Sequence, residues 1–152
     1  MKRYRILIGV VLLAVAAALV VYRLSLIPPD YAGRSISVEQ AHELASRGEL
    51  VLIDIRRPEE WKRTGIPAGA SPLDMRRPDF QATLAEIADA DRSRPIALIC
   101  ARGVRSARMA QALSAAGYTD IIDVPEGMLG SAAGPGWLAS NLPVTPIAET
   151  PE

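Results

Sequence analysis

The sequence has very few of the residues that build metal centres and disulfides. Among its 152 residues there is one cysteine, Cys100, and one histidine, His42. A single cysteine cannot form an intramolecular disulfide and cannot supply a cysteine-rich zinc site. A single histidine likewise excludes a two-histidine metal site, including the helical H-E-x-x-H type. We therefore expect no metal site.

The chain also lacks an excess of charge of either sign. It contains 17 basic and 17 acidic residues, so its formal net charge is zero. This balance argues against a protein that binds nucleic acid through a basic face. The length suits one ordinary domain and is too short for two. Hydrophobic residues make up 49% of the chain, and they are unevenly distributed.

One long apolar run lies near the N-terminus. Residues 6–21 contain no charged or polar side chain, and as a helix they would span about 24 Å. With Tyr4 and Tyr22 as interfacial aromatics, the segment reaches the length that a bilayer requires. The run predicts an uncleaved transmembrane signal anchor. A cleaved signal peptide is the alternative, but the small residues at 16–18 are followed by a poor cleavage context.

The charges around this run predict its orientation. Lys2, Arg3 and Arg5 precede it, and the positive-inside rule places such a flank in the cytoplasm. The rest of the chain would then lie outside the membrane, in the periplasm if the source is a Gram-negative bacterium. The predicted divisions are a cytoplasmic N-terminus at 1–5, a single-pass anchor at 6–22, a linker at 23–35, a folded domain at 36–143 and a flexible tail at 144–152.

From residue 36 onwards, short apolar runs alternate with helical patterns. We expect strands at 36–37, 50–55, 70–75, 95–100 and 120–124. We expect helices at 38–47, 58–63, 79–90 and 106–116, and a final helical turn at 137–141. This alternation predicts one α/β domain with a parallel sheet covered by helices on both faces.

The residues most suited to chemistry follow the strand predicted at 95–100. Cys100 ends that strand, a short loop containing a glycine follows, and the helix predicted from Ser106 begins. A helix N-terminus offers unpaired N–H groups and a partial positive charge, and successive loop N–H groups can form an anion-binding nest. Such a site favours the thiolate over the thiol, and Arg102 and Arg105 act in the same direction. The alternative is a buried cysteine that only fills the core.

Four segments within about residues 36–143 resemble segments of the rhodanese (thiosulfate sulfurtransferase) family, and they follow one another along the chain in the family's order. Residues 100–106 (CARGVRS) resemble its active-site loop. Residues 53–61 (IDIRRPEEW) resemble its D-V-R-x-x-x-E-[F/W] segment, and residues 64–70 (TGIPAGA) its G-H-I-P-G-A segment. Residues 118–128 resemble the stretch that usually ends in a Gly-Gly pair. The sequence departs from the family in having Gly65 near the place of the histidine, and Glu126-Gly127-Met128 in place of Gly-Gly.

The resemblance implies a rhodanese-like parallel sheet and a ping-pong transfer of sulfur. Cys100 would attack the outer sulfur of a donor such as thiosulfate, sulfite would leave, and a Cys100 persulfide would pass its sulfur to a thiol or a cyanide-like acceptor. Covalent catalysis of this kind needs no metal and no cofactor. The substrate-binding residues that the resemblance implies are Ala101, Arg102, Gly103, Val104, Arg105 and Ser106.

The resemblance gives some of these side chains separate roles. Arg102 lies where members that use thiosulfate often carry a basic residue, so we expect it to bind the sulfonate end. Arg105 could face the anion, or it could fix the loop by pairing with an acid such as Asp54 or Glu60. We expect Asp54 and Arg56 to support the scaffold.

Two other functions compete with this interpretation. A cysteine-dependent phosphatase fits poorly, because Cys100 and Arg105 make a C-x4-R loop where those enzymes have C-x5-R. The shorter loop gives a smaller cradle, suited to a sulfur atom. A non-catalytic rhodanese-like module at the membrane, which binds a partner or senses persulfide, is the alternative that stays open. A thiol redox role would need a second molecule, since the chain has no resolving cysteine.

Overall fold

The computed structural model describes residues 2–25 and 31–147. Lys2–Ser25 form one helix, α1, three residues longer than the predicted anchor at its C-terminal end. Its large apolar side chains from Ile8 to Leu24 are exposed. Within the two described ranges no helix combines the length and the hydropathy needed to cross a membrane, so the predicted anchor at 6–22 is not confirmed. Residues 26–30 of the predicted linker and 148–152 of the predicted tail lie outside the described residues.

Residues 31–147 form an α/β fold built on a five-stranded parallel sheet. The strands are β1 (Arg34–Ser35), β2 (Val51–Asp54), β3 (Ile66–Pro67), β4 (Ser71–Pro72), β5 (Ile96–Ile99), β6 (Ile121–Val124) and β7 (Val144–Thr145). The helices are α2 (Val38–Ser46), α3 (Pro58–Thr64), α4 (Phe80–Ile87) and α5 (Val104–Ala115). The main sheet has the order β1-β6-β5-β2-β4, and β3 and β7 form a separate antiparallel pair. The predicted α/β fold with a parallel sheet is confirmed.

The central strand shows why the strands are apolar throughout. All four residues of β5 are buried. Ile96 and Leu98 belong to a core that includes residues of α4 and α5, whereas Ala97 and Ile99 belong to a second core that includes residues of α2. Successive side chains point to opposite faces of a sheet, so a strand covered on both faces must be apolar at every position.

Local signals fix where two of the helices begin. Ser37 caps α2: its Oγ accepts from the N–H of Gln40 at 3.3 Å, and Gln40 Oε1 accepts from the N–H of Ser37 at 3.1 Å. This is a complete capping box, as the S-x-x-Q pattern predicts. Helix α5 begins at Val104, two residues before the predicted start, because Gly103 adopts a left-handed conformation (φ +84°) and serves as the N-cap.

Besides the earlier start of α5 and a shorter α4, the differences from prediction concern two-residue strands and the last helical turn. β1 lies at 34–35 and not at 36–37, so the sheet begins inside the predicted linker. β7 lies inside the predicted tail and pairs with β3, which lies in a predicted loop. The helical turn predicted at 137–141 is a series of turns, in which Trp137 is buried and donates to the carbonyl of Pro143 at 2.9 Å. Pairs of this length carry no sequence periodicity, and distant contacts determine them.

Candidate active site

Cys100 lies immediately after β5, at the carboxyl end of the parallel sheet. Its side chain is only 1% exposed. Its Sγ atom lies 3.6 Å from the hydroxyl oxygen of Ser106, and that hydroxyl donates to the carbonyl of Gly103 at 3.0 Å. The first turn of α5 is therefore folded against the cysteine. Ligands of open α/β sheets bind outside this edge of the sheet.

A second loop, which follows β6, holds the cysteine loop in place. The N–H of Met128 donates to the carbonyl of Cys100 at 2.9 Å, and the N–H of Leu129 donates to the carbonyl of Ala101 at 2.9 Å. Two carbonyl groups of the cysteine loop are thus occupied by this loop.

Glycines make this close approach possible. A Cβ atom on Gly103 would lie 2.2 Å from the carbonyl oxygen of Pro125, and one on Gly127 would lie 2.6 Å from the carbonyl oxygen of Ala101. Both glycines have positive φ, which side chains disfavour. Gly127 is therefore the residue of the Glu126-Gly127-Met128 segment that the packing requires.

The N–H groups of the cysteine loop are less occupied than its carbonyl groups. Within the described part of the chain, none of the N–H groups of residues 101–106 donates to a main-chain carbonyl. The first N–H groups of α5 also lie at the positive end of the helix dipole. The loop therefore offers donors to a thiolate, a persulfide or an oxyanion at Cys100.

Arg105, the second residue of α5, pairs with Glu60 of α3. Its Nη1 and Nη2 atoms donate to Glu60 Oε2 at 2.8 Å and Oε1 at 2.6 Å. Burial raises the pKa of Glu60, but the hydrogen bonds from Arg105 and from the N–H of Arg57 outweigh it, so this pKa lies below its usual value. The hydrogen bond to Glu60 is the main cause that raises the pKa of Arg105, and Cys100 adds to it. Arg105 therefore fixes the loop through Glu60, and Cys100 lies close enough to contribute to the pKa of Arg105.

Arg102 points away from this pair, and the pair itself lines an open cleft that does not include Arg102. The Arg102 side chain is exposed, and its Nη1 atom donates to the carbonyl of Gly130 at 3.1 Å. A cleft of about 520 Å³ opens beside α3 and the start of α5. The residues that line it are Arg57, Glu59, Glu60, Arg63 and Arg105.

Asp54 and Arg56 form a separate buried cluster after β2. Arg56 Nε lies 2.9 Å from Asp54 Oδ1, and Nη2 lies 2.7 Å from Oδ2. The remaining contacts of the guanidinium are to Thr64 Oγ1 at 2.8 Å and the carbonyl of Gly65 at 2.7 Å. The pair ties the end of β2 to the junction between α3 and β3, and these contacts are all with the scaffold.

Gly65 lies near the place where the resemblance implies a histidine. A Cβ atom there would lie 2.8 Å from the carbonyl oxygen of Thr145 on β7. Its φ is +71°, so any side chain at this position would be strained. The packing of β7 against this junction therefore leaves no room for a side chain at position 65.

The second departure, Glu126, also has a structural explanation. Its side chain is 5% exposed. Its Oε1 accepts from the N–H of Val38 at 3.2 Å, and its Oε2 accepts from the N–H of Gly136 at 3.1 Å. Glu126 thus binds the start of α2 to the loop that contains Gly136.

Sequence reasoning missed Asp123, a buried carboxyl group near the cysteine. It lies on β6, is 3% exposed, and is close to Ser106. Burial raises its pKa to about 6, although the nearby Ser106 hydroxyl and the N–H of Val124 act on this pKa in the opposite direction. The signal was available, because Asp123 is the one charged residue inside the apolar strand I-I-D-V.

Comparison with known proteins gives this arrangement a family. Residues 37–133 match the family model described as a rhodanese-like domain. An uncharacterised protein of Rickettsia rickettsii is 28% identical over 106 residues, covering 66% of this chain and 86% of that protein. A tRNA sulfurtransferase of Yersinia pestis is 35% identical over 86 residues, covering 57% of this chain and 17% of that protein. The solution structure of a homodimeric polysulfide-sulfur transferase from Wolinella succinogenes has a TM-score of 0.60 and 24% identity, covering 76% of this chain and 80% of that chain.

Proposed function

Since this chain belongs to the rhodanese-like domain family, we propose that it transfers sulfane sulfur from a donor such as thiosulfate to a thiophilic acceptor, through a persulfide on Cys100. The observation that carries the proposal is the position of Cys100, at the carboxyl end of β5 and beside loop N–H groups that donate to no described main-chain carbonyl. The sulfurtransferases among the similar proteins support the same class of reaction.

The proposed reaction needs no oxidant and no reductant. The Cys100 thiolate attacks the outer sulfur of thiosulfate and forms a new S–S bond. The S–S bond of thiosulfate breaks, and its electron pair leaves with sulfite. The loop N–H groups then stabilise the persulfide anion. In the second half, a thiolate acceptor attacks the outer sulfur of the persulfide and Cys100 leaves as a thiolate.

The two arginines of the loop have different proposed roles. Arg102 binds the sulfonate end of the donor, since its guanidinium has five N–H donors and Gly130 uses one of them. Arg105 keeps the start of α5 in position through Glu60. An Arg102→Ala variant should therefore react more slowly with thiosulfate, yet react at nearly the normal rate with an uncharged persulfide donor. Equal loss with both donors would contradict this assignment of Arg102.

Intact-mass measurement on the full-length chain tests the central proposal. Exposure to thiosulfate should add about 32 Da, the mass of one sulfur atom, at Cys100. Cyanide should remove this adduct, and the Cys100→Ser variant should not form it. Undiminished sulfur transfer from thiosulfate to cyanide by that variant would refute the proposal. A folded wild-type chain that forms no adduct would favour the alternative of a non-catalytic binding or persulfide-sensing module.

We also propose that α1 holds the domain at a membrane, with residues 1–5 in the cytoplasm and the domain in the periplasm or outside. The support is the uncharged run at 6–21 and the exposed apolar side chains along α1, because apolar surface of this extent is unfavourable in water. The full-length chain should stay in the membrane fraction after carbonate extraction, with its N-terminus intact by mass. Recovery in the extract, or loss of residues up to about 23, would contradict the anchor.

A further inference from the structure

A second titratable group lies beside Cys100, on the neighbouring strand. Asp123 of β6 is in register with Leu98 of β5, which lies two residues before Cys100. Only 3% of its surface is exposed, and its Oδ1 atom has no hydrogen-bond partner among the described residues. The family resemblance gave no role to this residue, and the scaffold does not use this oxygen atom.

The hydroxyl group of Ser106 connects Asp123 to Cys100. Its oxygen lies 3.6 Å from Cys100 Sγ and 3.0 Å from the carbonyl oxygen of Gly103. The same side chain is a neighbour of the Asp123 carboxyl group, since it lowers the pKa of that group against the effect of burial. A hydroxyl group has one proton to donate and two lone pairs that accept. By rotating from the carbonyl of Gly103 toward the carboxylate, Ser106 can donate to Asp123 while it accepts from Cys100.

The charged side chains of the elements packed against β6 lie elsewhere. Arg34 of β1 lies 3.9 Å from Asp120, at the opposite end of β6. On α5, Arg105 pairs with Glu60 and Arg108 is exposed. The four residues of β5 are all apolar, and the one in register with Asp123 is Leu98. Cys100 is the first titratable residue after that strand. Burial is accordingly the main influence on the carboxyl group and raises its pKa to about 6, a value suited to accepting a proton near neutral pH.

We propose that Asp123 is the proton acceptor for Cys100, reached through the Ser106 hydroxyl. The S–H bond of Cys100 breaks and its proton passes to Ser106 Oγ, while the Ser106 O–H proton passes to the Asp123 carboxylate. A thiol and a carboxylate become a thiolate and a carboxylic acid, so the buried site keeps one negative charge. When the acceptor removes the sulfur atom, Cys100 leaves as a thiolate and takes the proton back. The use of this proton in sulfur transfer rests on the proposed function.

Titration of the Cys100 thiolate tests the proton sharing directly. Because the chain has one cysteine, the difference in ultraviolet absorbance between the full-length wild type and its Cys100→Ser variant reports this thiolate alone. Two groups that share a proton titrate in two macroscopic steps. The wild type should therefore form thiolate in two steps separated by a plateau, and Asp123→Asn should show a single step. A single step in the wild type would overturn the proposal, even if Asp123→Asn failed to fold.

The rate of persulfide formation provides a second readout. At pH 7, Asp123→Asn and Ser106→Ala should each slow the formation of the thiosulfate adduct, by about a hundredfold for a lost proton acceptor. Asp120→Asn makes the same chemical change on the segment that leads into β6 and should change neither the titration nor the rate. Normal rates in both Asp123→Asn and Ser106→Ala would overturn the relay. A two-step titration in a wild type that forms no persulfide would refute the proposed function and leave the proton sharing in place.

Discussion

The carboxyl ends of the adjacent strands β2 and β5 differ in how completely their polar groups are satisfied. At the end of β2, buried Asp54 and Arg56 bind each other, and Arg56 also binds Thr64 and Gly65. After β5, the thiol of buried Cys100 lies 3.6 Å from the hydroxyl oxygen of Ser106, and the loop N–H groups donate to no described main-chain carbonyl. A buried network in which every polar group has a hydrogen-bond partner makes a site rigid. A site with unused donors and a titratable group can change its chemical state, and the proposed function places the reaction at this end and not at the end of β2.

The largest effect on stability should come from breaking the pair of Asp54 and Arg56 at the end of β2. Arg56→Met leaves Asp54 as an uncompensated buried charge, which should destabilise the fold by about 3–5 kcal/mol. Urea unfolding monitored by circular dichroism measures this cost. The chain supplies a matched control in Asp74 and Arg76, which make the same paired contacts two residues apart with Arg76 at the surface.

Arg76→Met should change stability far less than Arg56→Met, because solvent screens an exposed pair. Removing both buried charges, in Asp54→Asn combined with Arg56→Met, should recover much of the loss. Equal costs for Arg56→Met and Arg76→Met would show that burial does not distinguish the two pairs.

The next effect concerns the site around Cys100, where Asp123 should make the stability of the fold depend on pH. Burial raises the pKa of Asp123 to about 6 from an ordinary value of 3.8. Between these values the folded state keeps a proton that the unfolded state has lost. The contribution is therefore fully present below about pH 4, and about 3 kcal/mol of stability is lost as the pH rises through 6. Asp123→Asn should remove this loss, as measured by urea unfolding from pH 4 to 7.

Asp120→Asn is the control for that experiment, since it should keep the wild-type decrease in stability. A wild-type stability that rises steadily over the same interval, with no difference in Asp123→Asn, would mean that Asp123 is not held protonated by burial. The end of β5 would then resemble the end of β2, because its buried carboxyl group would not change its protonation state over this interval.

A third, smaller effect tests the packing of the cysteine loop. Gly103→Ala and Gly69→Ala both place a side chain at positive φ, +84° and +81°, which costs roughly 1–2 kcal/mol. Only at Gly103 would the new Cβ atom also meet a backbone atom, the oxygen of Pro125 at 2.2 Å. Gly103→Ala should therefore lose about 1 kcal/mol more than Gly69→Ala, and it alone should slow persulfide formation. Equal effects of the two variants on rate and stability would contradict the tight contact between the loops.

The sequence predicted the parts of the fold that local pattern determines. The buried strand β5 followed from a continuous apolar run, and α2 followed from a capping box at Ser37. The position of Cys100 between a strand and a helix was also predicted, because that order needs only the strand, the glycine and the helix. Each of these signals lies within a few residues of the feature that it predicts.

The parts that could not be predicted depend on contacts between distant residues. The pairing of β3 with β7 joins segments almost eighty positions apart, and two residues cannot show a period. Two partners for Arg105 were open, and the fold brings Glu60 of α3 to it. Asp123 was missed because its burial and its contact with Ser106 exist only after β6 and α5 have come together.

The pair of Glu60 and Arg105 links the two strand ends, since α3 follows β2 and α5 follows β5. Glu60→Gln should cost little stability, about 1 kcal/mol or less, yet it should slow persulfide formation because Arg105 loses the partner that positions it beside Cys100.

The pKa of Glu60 is lowered, so the stabilisation from the pair is present above its ordinary value of 4.5 and is lost as the pH falls through the lower folded value. The rate of adduct formation at pH 7 measures the first part, and urea unfolding followed from pH 7 down to 4 in wild type and Glu60→Gln measures the second. Glu43→Gln removes one acid from an exposed pair with Arg47 and should leave the rate unchanged. A Glu60→Gln variant with the wild-type rate would mean that Arg105 is held in position without Glu60.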